Sequence, residues 1–500
     1  MLFNSFQFLI FFPIVVIVYL FLPAKVKYLW LLAASYYFYM CWNPAYIVLI
    51  LFSTVVTWLT GIFLDKASGE GAQKKRKLIV AVCFLSNLGL LVYFKYANFL
   101  LGNLSAAMKL FGRQPLQVTV DVLLPVGISF YTFQALGYTV DVYRGEVKAE
   151  KNLLKYALFV SFFPQLVAGP IERTKNLLSE IHTIPEKKLF DYDRITKGLM
   201  LMVFGMFQKL VIADRLAPFV DHVFDHADQM DSLQLLAASV GFNFQIYCDF
   251  AGYSTIAIGA AKVCGFTLME NFNTPYFAES IKEFWRRWHI SLSTWFRDYL
   301  YIPLGGNRHG KIRKYCNILV TFLVSGLWHG AGWHFVAWGG LHGAYQVAGE
   351  LILPLKKKIA GSLHYKSDSV LAKCLRKFVT FLLAAYAWIY FRANSLGDAL
   401  FITKNLICFH VKGDTLKLFL DSSEQTGMDL TEWIVLGVAM LILLGAGLIR
   451  YHKQMTVDAF LSEQKLPIRW LIIYILLFAT IIFGKYGPAY SQQAFIYFQF

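Results

Sequence analysis

The sequence predicts an all-α, polytopic integral membrane protein, and three observations predict it. Hydrophobic residues make up 57% of the 500 positions and charged ones only 16%, against about 25% charged in soluble domains. A soluble fold of this composition would lack the polar surface to cover itself. Apolar runs approaching the roughly 20 residues a span requires begin near Gln7, Tyr28, Pro44, Leu78, Ile195, Leu233, Tyr315, Phe335, Phe378, Trp433 and Trp470. Lys and Arg, which leave a net charge of +16, gather between those runs, as in KKRK at 74–77 and KKK at 356–358. This is the positive-inside pattern, so the basic excess points to a membrane rather than to nucleic acid.

The first run lacks a basic leader and a small-residue cleavage motif, and reads as a retained span rather than a removed signal peptide. Two weaker runs begin near Val122 and Leu154 and are interrupted by Pro125, Pro164, Gly169 and Pro170. Broken or re-entrant backbone of this kind is tolerated at membrane depth only where protein buries it or where it lines a cavity. Stretches 65–77, 356–377 and 450–469 carry five, seven and four Lys/Arg. They are expected in the cytoplasm, which leaves both termini extracytoplasmic. Stretch 214–231, with five Asp and one Arg, suits the outer side. No internal repeat appears, so 1–500 is expected to form one integral membrane domain. None of the seven cysteines forms a CxxC pair, and they read as small buried hydrophobes.

Segment 284–308, FWRRWHISLSTWFRDYLYIPLGGNR, is amphipathic when wound as a helix. Trp285, Trp288, Leu292, Trp295 and Tyr299 share one face, and Arg286, His289, Ser293 and Arg297 an adjoining polar face. Two readings stand: an interfacial helix with Trp at the headgroups, or the floor of an aqueous entrance where Arg286 and Arg297 meet phosphates. The closing LGGNR is a turn that lets backbone approach a ligand.

His329 lies in SGLWHGAGWH, at the end of a run that is uncharged from Tyr315 to Leu327. Ionisable groups inside spans are rare and usually face a cavity. An apolar setting favours uncharged imidazole, the form a general base requires. Ser325, one helical turn earlier, is placed to orient the ring, and Trp328 adjoins it as a substrate contact. The alternative is a histidine that bonds a neighbouring helix. His334 and His342 follow at spacings that do not put three histidines on one face. No Asp or Glu lies between 315 and 349, so no metal is expected. A serine nucleophile elbow is also missing.

These two histidine segments, in this order, resemble the membrane-bound O-acyltransferase family, closest to its bacterial branch of alginate, peptidoglycan and cellulose O-acetyltransferases. The D-alanyl transferase of teichoic acid is a nearby cousin. Stretches 123–145 (LLPVGISFYTFQALGYTVDVYRG), 162–173 (FFPQLVAGPIER) and 244–259 (FQIYCDFAGYSTIAIG) extend the resemblance over most of the chain. After Asp249, Ala251 and Thr255 stand where the family pattern has Ser and Asp, which puts a polar role for those two positions in doubt.

The resemblance implies a ring of about 11 or more tilted helices around a central funnel or tunnel. Within it, 315–349 would hold the catalytic-histidine spans and 284–308 the second-histidine segment. His329 is then the essential histidine and His289 its partner, and an acyl group passes from a cytoplasmic thioester to a hydroxyl outside. The expected co-substrate is acetyl-coenzyme A or an acyl-carrier protein, with no tightly bound cofactor. The expected product is an O-acetylated cell-envelope or secreted polysaccharide, made with a secreted or membrane-anchored SGNH-type transferase. The location implied is the bacterial cytoplasmic membrane. Alternatives are acylation of a lipid or protein, D-alanyl transfer to teichoic acid, and transport; transporters often carry paired repeats. The tail, 485–500, ends in FIYFQF. It reads either as an interfacial aromatic anchor or, by resemblance to aromatic C-termini of relatives, as an acyl carrier through Tyr497.

Overall fold

The computed structural model describes residues 1–500 except 68–71, 117, 122–123, 168, 363–367, 412–427, 488–495 and 497–500. Regular structure among the described residues is helical throughout. Each expected span start falls at or within a helix, from Phe6–Phe21, Lys27–Met40 and Ile47–Lys66 to Leu430–Lys453 and Leu466–Phe483. Five described helical stretches are both long and apolar enough to cross a membrane: Pro44–Lys66, Ala72–Leu110, Tyr192–Asp225, Leu430–Lys453 and Leu466–Phe483. They expose side chains such as Leu85, Leu441, Leu471, Phe478 and Ile482. In water these would be a liability; in lipid they are the outer wall. The protein is a multi-pass membrane protein.

The chain divides into two compact units, Met1–Met202 with Ile256–Met269, and Val203–Thr255 with Glu270–Phe500. In the first, the helix Ile128–Tyr143 is buried almost all round. It starts at Gly127, whose φ is +74°. A Cβ there would lie 2.7 Å from the Leu166 carbonyl oxygen, so only glycine serves both the left-handed turn and the close approach. The interruption expected after Leu154 is real: Leu153–Ser161 ends at Phe162 before a short helix, Phe163–Leu166. Its free amide at Phe163 donates to Ser35 Oγ at 3.0 Å, and Tyr156 donates from its hydroxyl to Thr57 Oγ1 at 2.8 Å. The broken backbone is thus buried in protein, with Leu158, Phe159 and Phe162 fully covered.

The second unit is built round the helices Gly310–His329, Trp333–Ser362 and Val370–Arg392. The first two approach backbone to backbone. A Cβ on Gly339 would overlap the Phe322 carbonyl, and one on Gly326 the Phe335 carbonyl. Such glycine contacts replace the hydrophobic drive that lipid removes. They seat His329, the last residue of its helix, against the start of the next one.

This packing makes a prediction. Gly339→Ala should destabilise the protein by about 1–3 kcal/mol through overpacking. Gly349→Ala, in the same helix but with nothing within 4 Å of the added methyl, should stay within about 0.5 kcal/mol or gain slightly. Thermal unfolding in detergent compares the two, and equal transition temperatures would refute the packing argument.

Candidate active site

The segment around His289 is not the continuous amphipathic helix that its periodicity predicts. The helix Ile281–Arg287 ends at Trp288, and Ile290–Phe296 begins after a break, followed by a π-helical turn, Arg297–Tyr301. His289 sits in the break with a φ of +42°, a left-handed conformation that costs a non-glycine residue of order 1–3 kcal/mol. A neighbouring stretch holds the break open. The Ile290 amide donates to the Asn271 carbonyl at 2.9 Å, and the Asn273 amide donates to the Arg287 carbonyl at 2.9 Å. Ser291 Oγ bonds Asn271 Oδ1 at 2.6 Å. The kink turns His289 off the expected polar face, and its side chain is 0% exposed. Arg286 and Arg297 stay exposed, and Arg297 is paired with Asp298 at 2.7 Å. The LGGNR turn is present. Gly305 and Gly306 both have positive φ, and Asn317 Nδ2 donates to the Gly306 carbonyl at 2.9 Å, pinning the turn to the helix that carries His329.

His329 is 3% exposed, and its ring centre lies 6.4 Å from that of His289. Aromatic rings wall the pair. Trp328 and Trp338 each stand 4.9 Å from His329, nearly perpendicular to it, and Phe391 stands 5.3 Å away. Phe250 meets His289 edge-on at 4.6 Å, and Trp328 lies 6.2 Å from it. Trp388 closes the wall behind Trp338 and Trp288. Of the residues singled out in the sequence, His289, Ser325, Trp328 and His329 are therefore buried in the same unit. Arg286 and Arg297 are exposed, and Tyr497 lies outside the described residues. His334 and His342 have other partners: His334 Nδ1 contacts the Ala393 carbonyl at 3.2 Å, and His342 Nδ1 accepts from Trp285 Nε1 at 3.2 Å.

The arrangement encloses two imidazoles within aromatic walls, an aromatic chamber in the sense of a closely packed lining shielded from bulk water. Imidazole in such a setting is able to take up a proton or polarise a carbonyl, which are the requirements of acyl transfer to a hydroxyl.

Sequence reasoning missed a second buried cluster in this unit. Lys209 Nζ pairs with Asp214 Oδ1 at 2.7 Å and Asp249 Oδ1 at 2.5 Å, all three nearly inaccessible. Lys209 lies in a π-helical stretch, Phe207–Ala213, a distortion often found at functional sites. The rule that picked out His329, an ionisable group inside an apolar run, also applies to Lys209.

Residues 80–390 match the model of MBOAT, the membrane-bound O-acyltransferase family. The chain is similar to a probable alginate O-acetylase of Azotobacter vinelandii, 38% identical over 439 residues, covering 88% of this chain and 83% of that one. It is 36% identical over 508 residues to the probable alginate O-acetylase of Pseudomonas putida, covering 99% of each. It is also 36% identical over 403 residues to the peptidoglycan O-acetyltransferase of Helicobacter pylori, covering 76% of this chain and 73% of that one. Taken with a multi-pass helical fold and a buried histidine pair, these matches show that the chain belongs to the membrane-bound O-acyltransferase family.

Proposed function

We propose that this enzyme moves an acyl group, acetyl above all, from a cytoplasmic thioester to the O-acetylation of a cell-envelope or secreted polysaccharide. The observation that carries this reading is the His289–His329 pair, ring centres 6.4 Å apart, inside an aromatic chamber of an O-acyltransferase-family chain. Relatives named as alginate and peptidoglycan O-acetylases support a polysaccharide as the final acceptor. Acetyl-coenzyme A or an acyl-carrier protein supplies the thioester.

In the reaction, imidazole nitrogen of His329 takes the proton of an acceptor hydroxyl as its oxygen attacks the thioester carbonyl carbon. The tetrahedral centre collapses, the carbon–sulfur bond breaks, and the proton passes to the departing thiolate. His289 positions the donor or polarises its carbonyl. The aromatic walls limit hydrolysis by excluding water. Ser325 and Trp328, buried beside His329, orient the ring and contact substrate, while exposed Arg286 and Arg297 meet donor phosphates.

The immediate acceptor in this reading is the phenol of Tyr497. An aryl ester is a better donor than an alkyl ester because phenolate leaves more readily, so the thioester's reactivity is conserved on the outer side. A secreted or membrane-anchored SGNH-type transferase then carries the acetyl group to the sugar. The chain acts as one integral domain in the bacterial cytoplasmic membrane, with 65–77, 356–377 and 450–469 inside and both termini outside. Two of those stretches meet one short segment, which supports placing them on the same side: Arg376 pairs with Glu279 at 2.6 Å, and Arg450 bonds Asn273 at 3.1 Å.

Three outcomes are expected. His329→Ala should lower acylation by about 100- to 10,000-fold, the usual worth of a general base, at an unchanged level of membrane-inserted protein; near-normal polysaccharide O-acetyl content in cells carrying only this variant would exclude the assignment. Tyr497→Phe, which removes one oxygen, should be as inactive as His329→Ala, and wild-type protein should carry an acetyl mass on its C-terminal peptide; full acetylation by the Phe variant refutes the carrier role. Single cysteines in the three inside stretches should resist a membrane-impermeant thiol reagent in intact cells, and rapid labelling there reverses the topology.

A further inference from the structure

We infer that Asp249 is the receptor for the chain's own C-terminal segment: its carboxylate, held by Lys209, accepts the main-chain N–H of Ile496, and acyl transfer through the tail depends on that bond. The second half of this inference rests on the acyl-carrier reading of Tyr497; the first half does not.

Lys209 is one ammonium facing two carboxylates, Asp214 and Asp249. Ion pairing in a buried span calls for one. The surplus carboxylate has a second use, because Asp249 Oδ2 accepts from the Ile496 amide at 2.7 Å, across 247 positions of sequence. Charge-assisted bonds of this kind are short and strong. Ile496 is itself 3% exposed, so the bond lies in the interior of its unit rather than at a fraying end.

A second tether lies beside the first. After the last helix, Leu466–Phe483, the Lys485 amide donates to the carbonyl of Leu210 at 3.0 Å, the residue next to Lys209. Its ammonium pairs with Glu432 at 2.7 Å. The segment therefore leaves the final helix at the π-helical stretch and is held again, at Ile496, by the carboxylate paired to that stretch. Both holds on the segment's backbone use main-chain N–H groups. The site also adjoins the chamber, since Asp249 is followed in the same helix by Phe250, the ring that meets His289 at 4.6 Å. Asp249 is a positioning residue: it acts through the tail and touches no reacting atom.

The test separates docking from chemistry. With exposed Cys41, Cys316, Cys374 and Cys408 replaced by Ser, Ile496→Cys keeps the amide donor and gives a thiol that reports burial. Purified full-length protein should react slowly with N-ethylmaleimide, and at least tenfold faster once Asp249→Leu is added. Equal rates in protein that remains monodisperse overturn the dock. Should Asp249→Leu fail to accumulate, Ile496→Pro decides, because it deletes the N–H and leaves Lys209, Asp214 and Asp249 untouched. It should lower polysaccharide O-acetylation at least tenfold at equal protein level, while Ile496→Val keeps it; full acetylation by Ile496→Pro overturns the presenting role. If Tyr497→Phe acetylates normally, the carrier reading fails, and the thiol contrast, which involves no acyl transfer, still decides the dock.

Discussion

A charge taken into hydrocarbon must bring its partner with it, and that constraint organises the second unit of this protein. Lys209 sits in a stretch apolar enough to span a membrane and is met by two carboxylates. Arg215, a turn and a half further on, pairs with Glu432 and bonds the Phe483 carbonyl. Removing one partner of such a buried pair costs about 3–5 kcal/mol, because the other is left uncompensated. These pairs therefore fix which helices lie beside one another. The helix 430–453 and the end of 466–483 are both drawn to the segment 207–215 by them.

The histidines obey the same constraint in the opposite way. Indole and phenyl rings stand round His289 and His329, and the two imidazoles face each other. An uncharged imidazole tolerates such a wall, whereas a lysine would not. The unit thus keeps two kinds of buried polarity apart: ion pairs that fasten helices, and an aromatic chamber suited to moving a proton. Phe250 and Asp249, consecutive on one helix, stand where the two meet.

Backbone geometry places the pair. His329 is fixed by glycine contacts between its helix and the next, which leave no room for a single added methyl at Gly326 or Gly339. His289 is fixed by a left-handed residue that Asn271 and Asn273 hold from the side. Strain of this size persists only where surrounding bonds over-determine it, and it clusters at functional sites. Arg286 and Arg297, on either side of the break, stay exposed.

The helices were legible in the sequence because hydropathy is a local property: a run of apolar residues spans lipid whatever its neighbours do. His329 was legible for the same reason, as a titratable group at the end of an uncharged run, and the interruption near Pro164 because proline acts within its own turn. His289 was visible as a residue but not as a buried one. Its periodicity assigned it to a polar face, and the bonds that break the helix come from Asn271 and Asn273, well upstream. Lys209 announced itself by the same rule as His329, yet its second partner, Asp249, lies 40 positions away, and the Ile496 amide 247 beyond that. Local sequence thus determined which segments are helical and which ionisable groups demand an explanation. Only the tertiary structure decided which of them meet, because a buried charge or ring takes its partner from whatever the packed backbone brings within a few ångströms.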